Sequence, residues 1–168
     1  MTIGYIICGG TIDKSYFPER ETFDFEKTHT NELLRLARIP EVNINTRFLF
    51  LKDSLDMDDT DVSRINRACK ESLSHKIIIA HGTSRMIHTA QSIANDLPAG
   101  KTIVLFGAMI PFELYKSDAL FNFGTALMAC QLLDPGVYIS MNGKVWPHDQ
   151  VEKNDEDAIF IDKRSSSL

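Results

Sequence analysis

Hydroxyl side chains and glycines stand together where apolar runs of this sequence end. The run at Ile77 to Ile79 leads into His81-Gly82-Thr83-Ser84, the run from Ile3 to Cys8 leads into Gly9-Gly10-Thr11, and Ser54 follows a third run. A glycine turn leaves backbone N–H groups that can hold a polar or anionic ligand, and each hydroxyl adds a donor and an acceptor. The alternative for each single hydroxyl is that it caps a helix or closes a turn, as serine and threonine commonly do.

These turns can act together only if the fold brings them to one place, and the order of the segments predicts that it does. Short apolar runs predict strands, and apolar residues at helical spacing predict helices between them. Strands are expected at residues 3–8, 43–51, 77–79, 102–106 and 137–141, and helices at 31–37, 58–73, 86–97 and 117–133. This alternation predicts a three-layer α/β fold with about five mostly parallel strands in a flavodoxin-like or Rossmann-like order. The carboxyl ends of such strands share one edge, where ligands bind.

The segments between these elements add further expectations. Lys101 opens the fourth predicted strand and is the lysine expected near the hydroxyls. The polar and aromatic stretch from Asp13 to Phe25 predicts a surface loop that could act as a lid over the sheet edge. Short strands are expected near residues 145–146 and 158–161, and fraying is expected for the Ser-Ser-Ser-Leu tail at 165–168.

Length and composition exclude several classes of protein. The 168 residues suit a single domain over residues 1–168, and no apolar run approaches the ~20 residues of a membrane span. A net charge of −5 without a basic cluster argues against nucleic acid as a partner. The N-terminus lacks a basic leader and the three cysteines form no CxxC pair, so that a cytoplasmic protein with reduced thiols is expected. The histidine spacings do not predict a metal site.

Four segments resemble, in this order, the signature segments of the bacterial-type L-asparaginases. They are CGGTID at 8–13, DSLDM at 53–57, HGTSRMIHTA at 81–90 and GAMIPFELYKSDALFNFGTAL at 107–127. The resemblance runs to about Phe160 and covers only the N-terminal domain of that family, so that a stand-alone asparaginase-like domain is expected. It implies an amidohydrolase that needs no metal or cofactor and forms an acyl-enzyme on a threonine.

The resemblance also implies roles for individual residues. Thr11 would be the nucleophile, Thr83 and Lys101 its proton relay, and Tyr16 in the lid a further assisting group. A threonine hydroxyl is a weak nucleophile unless a base accepts its proton. A lysine base that is neutral near pH 7 needs its pKa lowered by ~3 units from ~10.4, which corresponds to ~4 kcal/mol. Burial can supply such a shift.

The substrate pocket implied by the resemblance consists of Gly10, Ser54, Gly82 and Ser84. Ser54 matches the serine that helps hold the α-carboxylate end of the substrate. Ser84 stands where the family has an aspartate that contacts the α-ammonium of asparagine, and Leu55 replaces a common glutamine. Because removing one member of a buried charge pair typically costs several kcal/mol, weak activity on free asparagine is expected.

Two other functions stay open at this level. One is a binding or regulatory module that keeps the pocket for an amino acid or dicarboxylate without turnover. The other is a flavodoxin-like nucleotide-binding protein that uses the glycine turns for phosphate. The resemblance further implies a homo-oligomer, a dimer or tetramer, with Phe112, Leu114 and Tyr115 as candidate members of an apolar contact surface.

Overall fold

The protein is built from ten strands and four α-helices in the described part of the chain. The computed structural model describes residues 2–97 and 99–163, so that the tail at 165–168 lies outside the described residues. The strands are β1 (Ile3–Gly9), β2 (Lys14–Phe17), β3 (Thr22–Phe25), β4 (Ile44–Lys52), β5 (Lys76–Ala80), β6 (Thr102–Phe106), β7 (Gly136–Met141), β8 (Lys144–Pro147), β9 (Val151–Asn154) and β10 (Ile159–Asp162). The helices are α1 (Thr30–Leu36), α2 (Asp59–Glu71), α3 (Met86–Ala94) and α4 (Ala119–Leu132). None of these helices, within the residues described, is long and apolar enough to cross a membrane.

The central sheet has six strands in the order β4-β1-β5-β6-β7-β8. The first five are parallel to one another, and β8 pairs with β7 in the antiparallel direction. Taken along the chain, the parallel strands lie in the order second, first, third, fourth, fifth, which is the flavodoxin-like arrangement. The predicted α/β fold is therefore confirmed, and its topological switch point lies between β1 and β5, where ligands of such sheets bind.

Both faces of the sheet are covered, which gives the three layers that were predicted. Because neighbouring residues of a strand point to opposite faces, Ile6 and Tyr5 enter different cores. The Ile6 face packs against α2, α3 and the β9–β10 hairpin, and the Tyr5 face packs against α1 and α4. A strand buried on both faces needs a continuous apolar sequence, which explains why β5 and β6 were visible as unbroken β-branched and apolar runs.

The segment expected to be a loop lid is instead a β-hairpin. β2 and β3 pair in the antiparallel direction, and the rings of Tyr16 and Phe23 face each other with centroids 5.2 Å apart. The hairpin is tied to the rest of the protein, since Lys14 Nζ lies 2.5 Å from Asp53 Oδ2 and the Tyr16 N–H donates to the Glu113 carboxylate. This segment stands off the main sheet, and its two strands of four residues each include polar side chains, so its sequence carries no strong strand signal.

The structure corrects the expectation that Lys101 lies near Thr11. Lys101 precedes β6, at the amino edge of the sheet, whereas Thr11 follows β1 at the carboxyl edge. The five residues of β6 separate these edges by roughly 16 Å, which a lysine side chain does not span. Its ammonium instead donates to the carbonyl oxygens of Cys69 at 2.7 Å and Ser72 at 2.5 Å, at the C-terminal end of α2. Lys101 is thus a structural lysine that satisfies helix carbonyl groups and complements the helix dipole.

We predict that Lys101→Met lowers the stability of the protein by about 2 kcal/mol, because hydrogen bonds to a charged donor are lost and buried carbonyl groups remain unpaired. Urea unfolding followed by circular dichroism measures the change. Lys70→Met is the matched control, since Lys70 forms an exposed ion pair with Asp96 and its loss should cost under about 1 kcal/mol. Equal losses in the two variants would contradict the structural role of Lys101.

Candidate active site

Three glycines let four loops meet at the carboxyl edge of the sheet. Gly10 has a φ of +89°, and a β-carbon there would lie 2.4 Å from the Gly82 Cα. A β-carbon at Gly82 would lie 2.6 Å from Ser54 Oγ, and one at Gly107 would lie 2.4 Å from the His81 carbonyl oxygen. Such distances leave no room for a side chain, so the turns after β1, β4, β5 and β6 contact one another through their backbones. The structure therefore brings the predicted glycine and hydroxyl turns together.

Ser54 supports the turn after β5 from below. Its side chain is 1% exposed, and its Oγ accepts the N–H groups of Ser84 at 3.1 Å and Arg85 at 3.3 Å. Asp53 caps the short turn at Ser54 by accepting the Leu55 N–H. Ser54 thus has the capping role that is common for serine, in addition to the substrate contact that the sequence predicts.

Thr11 and Thr83 follow the two glycines that touch. Thr11 is half-buried and opens a short 3₁₀ turn, Thr11–Asp13, while Thr83 is 8% exposed. Neither hydroxyl has a hydrogen-bond partner among the residues that the structure describes. Two unengaged hydroxyls therefore lie on adjacent turns at the switch point of the sheet, and Ser84 is exposed beside them.

Asp13 secures the turn that carries Thr11. Its carboxylate is buried and accepts the His29 N–H at 2.7 Å and the Thr28 hydroxyl at 3.0 Å. Burial raises the pKa of Asp13, and these two hydrogen bonds oppose that rise. The contacts link the Thr11 turn to the segment that precedes α1. The sequence analysis did not single out Asp13, although an acidic residue two positions after a candidate nucleophile is a visible signal.

Two lysines, Lys14 and Lys153, influence the carboxyl group of Asp53, which precedes Ser54. Lys14 pairs with Asp53, and Lys153 on β9 lies near enough for its charge to affect the same carboxyl group. Burial alone would raise the pKa of Asp53, but the hydrogen bonds from Lys14 and Leu55, with the charges of both lysines, lower it below its usual value. Lys153 was missed because it lies in a short strand within a charged segment, where the sequence gives no positional signal.

Tyr16 lies on the hairpin close to this group. Side chains alternate along a strand, so Tyr16 projects from the same face of β2 as Lys14. Its side chain is 45% exposed. Its assisting role stays a prediction.

The first turn of α4 holds the loop that contains Gly107. The Asp118 carboxylate accepts the Met109 and Ile110 N–H groups at 3.0 Å. The Asn122 amide donates to the Gly107 carbonyl oxygen at 3.0 Å. These bonds fix the backbone that touches His81, which completes the wall of the site on the β6 side.

His81 is buried in the wall of the site as a neutral imidazole. It is 0% exposed, and its Nδ1 lies 2.7 Å from the Gly82 carbonyl oxygen, to which the protonated nitrogen donates. The Nε2 atom has no partner among the described residues. The pKa of His81 is lowered to about 4. Burial is the main cause, and the positive charges of Arg85 and His88 act in the same direction, whereas the hydrogen bond to Gly82 opposes the change.

We predict that the protein loses stability as the pH falls from about 6.5 to about 4. The unfolded chain protonates His81 with a pKa of about 6.5, whereas the folded protein resists protonation until about pH 4. The contribution of the neutral imidazole to the free energy of unfolding is therefore fully present above pH 6.5. It falls by up to about 1.4 kcal/mol for each pH unit below that, and the total loss is about 3 kcal/mol.

Urea unfolding of wild type and His81→Asn between pH 7 and 5 measures this effect. The wild type should lose about 2 kcal/mol more than the variant over this range. The variant His75→Gln, changed at an exposed histidine on the amino edge, serves as control and should keep the wild-type slope. If the free energy of unfolding changed equally with pH in wild type and His81→Asn, the result would contradict the burial of a neutral His81.

The family of the chain follows from a sequence comparison. A family model described as asparaginase, N-terminal, matches residues 2–160. The chain belongs to the asparaginase family. The resemblance found in the four signature segments is therefore confirmed, as is its restriction to the N-terminal part of that family.

Solved structures of asparaginases share this fold. The thermostable L-asparaginase from Thermococcus kodakarensis superposes with a TM-score of 0.80 at 27% identity, over 96% of this chain and 51% of that protein. L-asparaginase I from Vibrio cholerae gives 0.78 at 22% identity with the same coverages, which supports the fold alone. The chain thus spans about half the length of these enzymes.

Curated relatives of this asparaginase-family chain include one component of an amidotransferase. This component of the glutamyl-tRNA(Gln) amidotransferase from Methanococcus vannielii is 33% identical over 75 residues, which are 45% of this chain and 18% of that protein. Its counterpart from Methanococcus maripaludis is 34% identical over 74 residues, which are 44% of this chain and 18% of that protein.

Proposed function

We propose that the protein is an asparaginase-like amidohydrolase that cleaves a carboxamide of a small, amino-acid-like substrate. The observation that carries this proposal is the pair of unengaged hydroxyls, Thr11 and Thr83, on glycine turns that touch at the switch point of the sheet. Membership of the asparaginase family and the T. kodakarensis L-asparaginase structure support the same reaction class. The single domain over residues 1–168 belongs to this proposal.

Thr11 is the proposed nucleophile. Its Oγ1 attacks the carboxamide carbon, the hydroxyl proton passes to a base, and the carbonyl oxygen becomes an oxyanion that backbone N–H groups of the glycine turns can stabilise. Ammonia leaves with a proton returned by the same group, and an ester to Thr11 remains. Water then attacks the ester and regenerates the hydroxyl. Thr83 lies on the adjacent turn, from which its hydroxyl can pass the proton onward.

Lys153 is the proposed proton acceptor in place of Lys101. Its side chain is 18% exposed, and its Nζ lies 2.7 Å from Asp155 Oδ1, a carboxylate that is 82% exposed. An ion pair with so exposed a partner is weak because water screens it, so that the side chain can leave it and, as a neutral amine, accept the hydroxyl proton of Thr11. Lys14, by contrast, is held by the half-buried Asp53 at 2.5 Å.

The substrate is proposed to lack a free α-ammonium group. Ser84 is exposed and uncharged, and Leu55 is 72% exposed at the neighbouring turn. Asp53, which precedes Ser54, is engaged by Lys14 and the Leu55 N–H. Amides with an acylated or missing amino group therefore fit this side of the site better than asparagine does. Gly10, Gly82 and Ser54 remain the proposed pocket walls.

We expect Thr11→Ala to abolish ammonia release from a panel of amides, because it removes the hydroxyl that is proposed to form the acyl-enzyme. The panel contains asparagine, glutamine, their peptide and N-acyl forms, and amides without an α-amino group. Thr11→Ser is the matched control and should retain measurable release, since it keeps the hydroxyl. Release by Thr11→Ala at the wild-type rate would overturn the assignment.

Absence of release from every amide, at millimolar substrate, would favour the binding module instead. Calorimetry with an amino acid or dicarboxylate then gives a direct test of that alternative.

We expect Lys153→Met to lower kcat/KM by about 100-fold or more, the range of general base catalysis. Lys14→Met changes a second lysine at the same edge and is the matched control, with an expected loss of about tenfold or less. Lys101→Met should keep the activity of its folded fraction. A larger loss of kcat/KM for Lys14→Met than for Lys153→Met would show that Lys153 is not the proton acceptor.

The compartment and the assembly are also proposals. Cys8, Cys69 and Cys130 are free and buried, as is typical of cytoplasmic proteins, and we expect the protein to act there. A homo-oligomer agrees with the exposure of Leu114 and Tyr115, whereas Phe112 packs against the ring of His29.

A further inference from the structure

The outer face of α4 is unusually apolar for a surface helix. The fourteen residues Ala119–Leu132 contain no charged side chain. Leu120, Phe121, Met128 and Leu132 are 40%, 59%, 53% and 76% exposed. A helix that is apolar on all sides is normally covered on all sides, yet these four side chains stay exposed while the inner face of α4 packs into the core.

A glycine lies at the centre of this exposed stripe. Gly124 falls between Leu120, Phe121 and Met128 on the helical surface, since residues three and four apart are neighbours. A β-carbon added at Gly124 would have nothing within 4 Å. Glycine in a helix interior costs roughly 0.5–1 kcal/mol relative to alanine, and the fold of this chain gives no steric reason for it. A glycine at this place does allow a second helix to approach the backbone closely.

We propose that this stripe is the contact surface between two copies of the chain, with α4 packed antiparallel to α4 of the partner around a twofold axis near Gly124. With Leu127 and the neighbouring Val145, the stripe exposes on the order of 500 Å² of apolar surface. That is comparable to the largest apolar patch of a typical monomer, which is often functional, and it supplies more than half of the ~800 Å² that each partner of a standard interface buries.

Charges at the two ends of the helix fit this arrangement. Lys116 and Asp134 are both exposed, and each lies nine residues from Thr125, next to Gly124. In an antiparallel pair centred there, Lys116 of one copy therefore comes close to Asp134 of the other, twice per dimer. The Asp134 carboxylate has no ion pair among the described residues. A second copy of this chain thus offers both the apolar surface and the complementary charges.

Sedimentation velocity at tens of micromolar tests the interface without reference to catalysis. The wild type should sediment with twice the 19.0 kDa mass of one chain. Gly124→Glu should sediment as a single chain with an unchanged circular dichroism spectrum, because the new side chain has room in the monomer and blocks the helix contact. Ser63→Glu, on the exposed face of α2, is the matched control and should stay dimeric.

Charge reversal tests the antiparallel arrangement. Lys116→Glu and Asp134→Lys should each weaken dimerisation about tenfold, since two attractive pairs become repulsive, and the double variant should restore it. A wild type with the mass of one chain, or a dimer that survives Gly124→Glu, would overturn the proposal. Additive rather than compensating effects of the two reversals would also overturn it.

Discussion

The contact between the backbones of Gly10 and Gly82 is the constraint on which the site depends. It brings the turns after β1 and β5 within van der Waals distance at the switch point of the sheet. Thr11 and Thr83 follow these glycines directly, so their hydroxyls are positioned by rigid parallel strands rather than by mobile loops. Ser54 beneath Gly82 and Asp13 beside Thr11 then hold each turn through hydrogen bonds to backbone N–H groups. The result is a pair of hydroxyls that is fixed in place yet not engaged by any of the residues that the structure describes.

Much of this arrangement could be predicted because it depends on local chemistry. Strands that are buried on both faces need unbroken apolar runs. β6 agrees with its predicted bounds, 102–106, and β5 extends one residue beyond its predicted bounds, 77–79, at each end. Parallel topology then places the turns that follow the strands at one edge, whichever order the strands take. The two hairpins, β2–β3 and β9–β10, could not be predicted equally well. They are short and lie outside the main sheet, and specific contacts such as Lys14 with Asp53 hold the first of them.

The lysines show where sequence reasoning failed and why. Lys101 precedes a parallel strand, and a residue in that place must lie at the edge opposite to the turns. The topology itself therefore argued against a place for Lys101 near Thr11. Lys153, the lysine proposed in its place, lies in a charged segment, where nothing in the sequence marks its position in space. The turns of the site therefore follow from the fold class, whereas the position of such a lysine follows only from the tertiary structure.

The absence of space for a β-carbon at Gly10, Gly82 and Gly107 has an evolutionary consequence. The backbone of this edge cannot be remodelled by single substitutions at those positions without separating the turns. Variation in what the site accepts is therefore confined to side chains that project away from the contact, such as Ser84 and Leu55, both of which are exposed. A lineage with this fold can change what the site binds while Thr11 and Thr83 keep the same place.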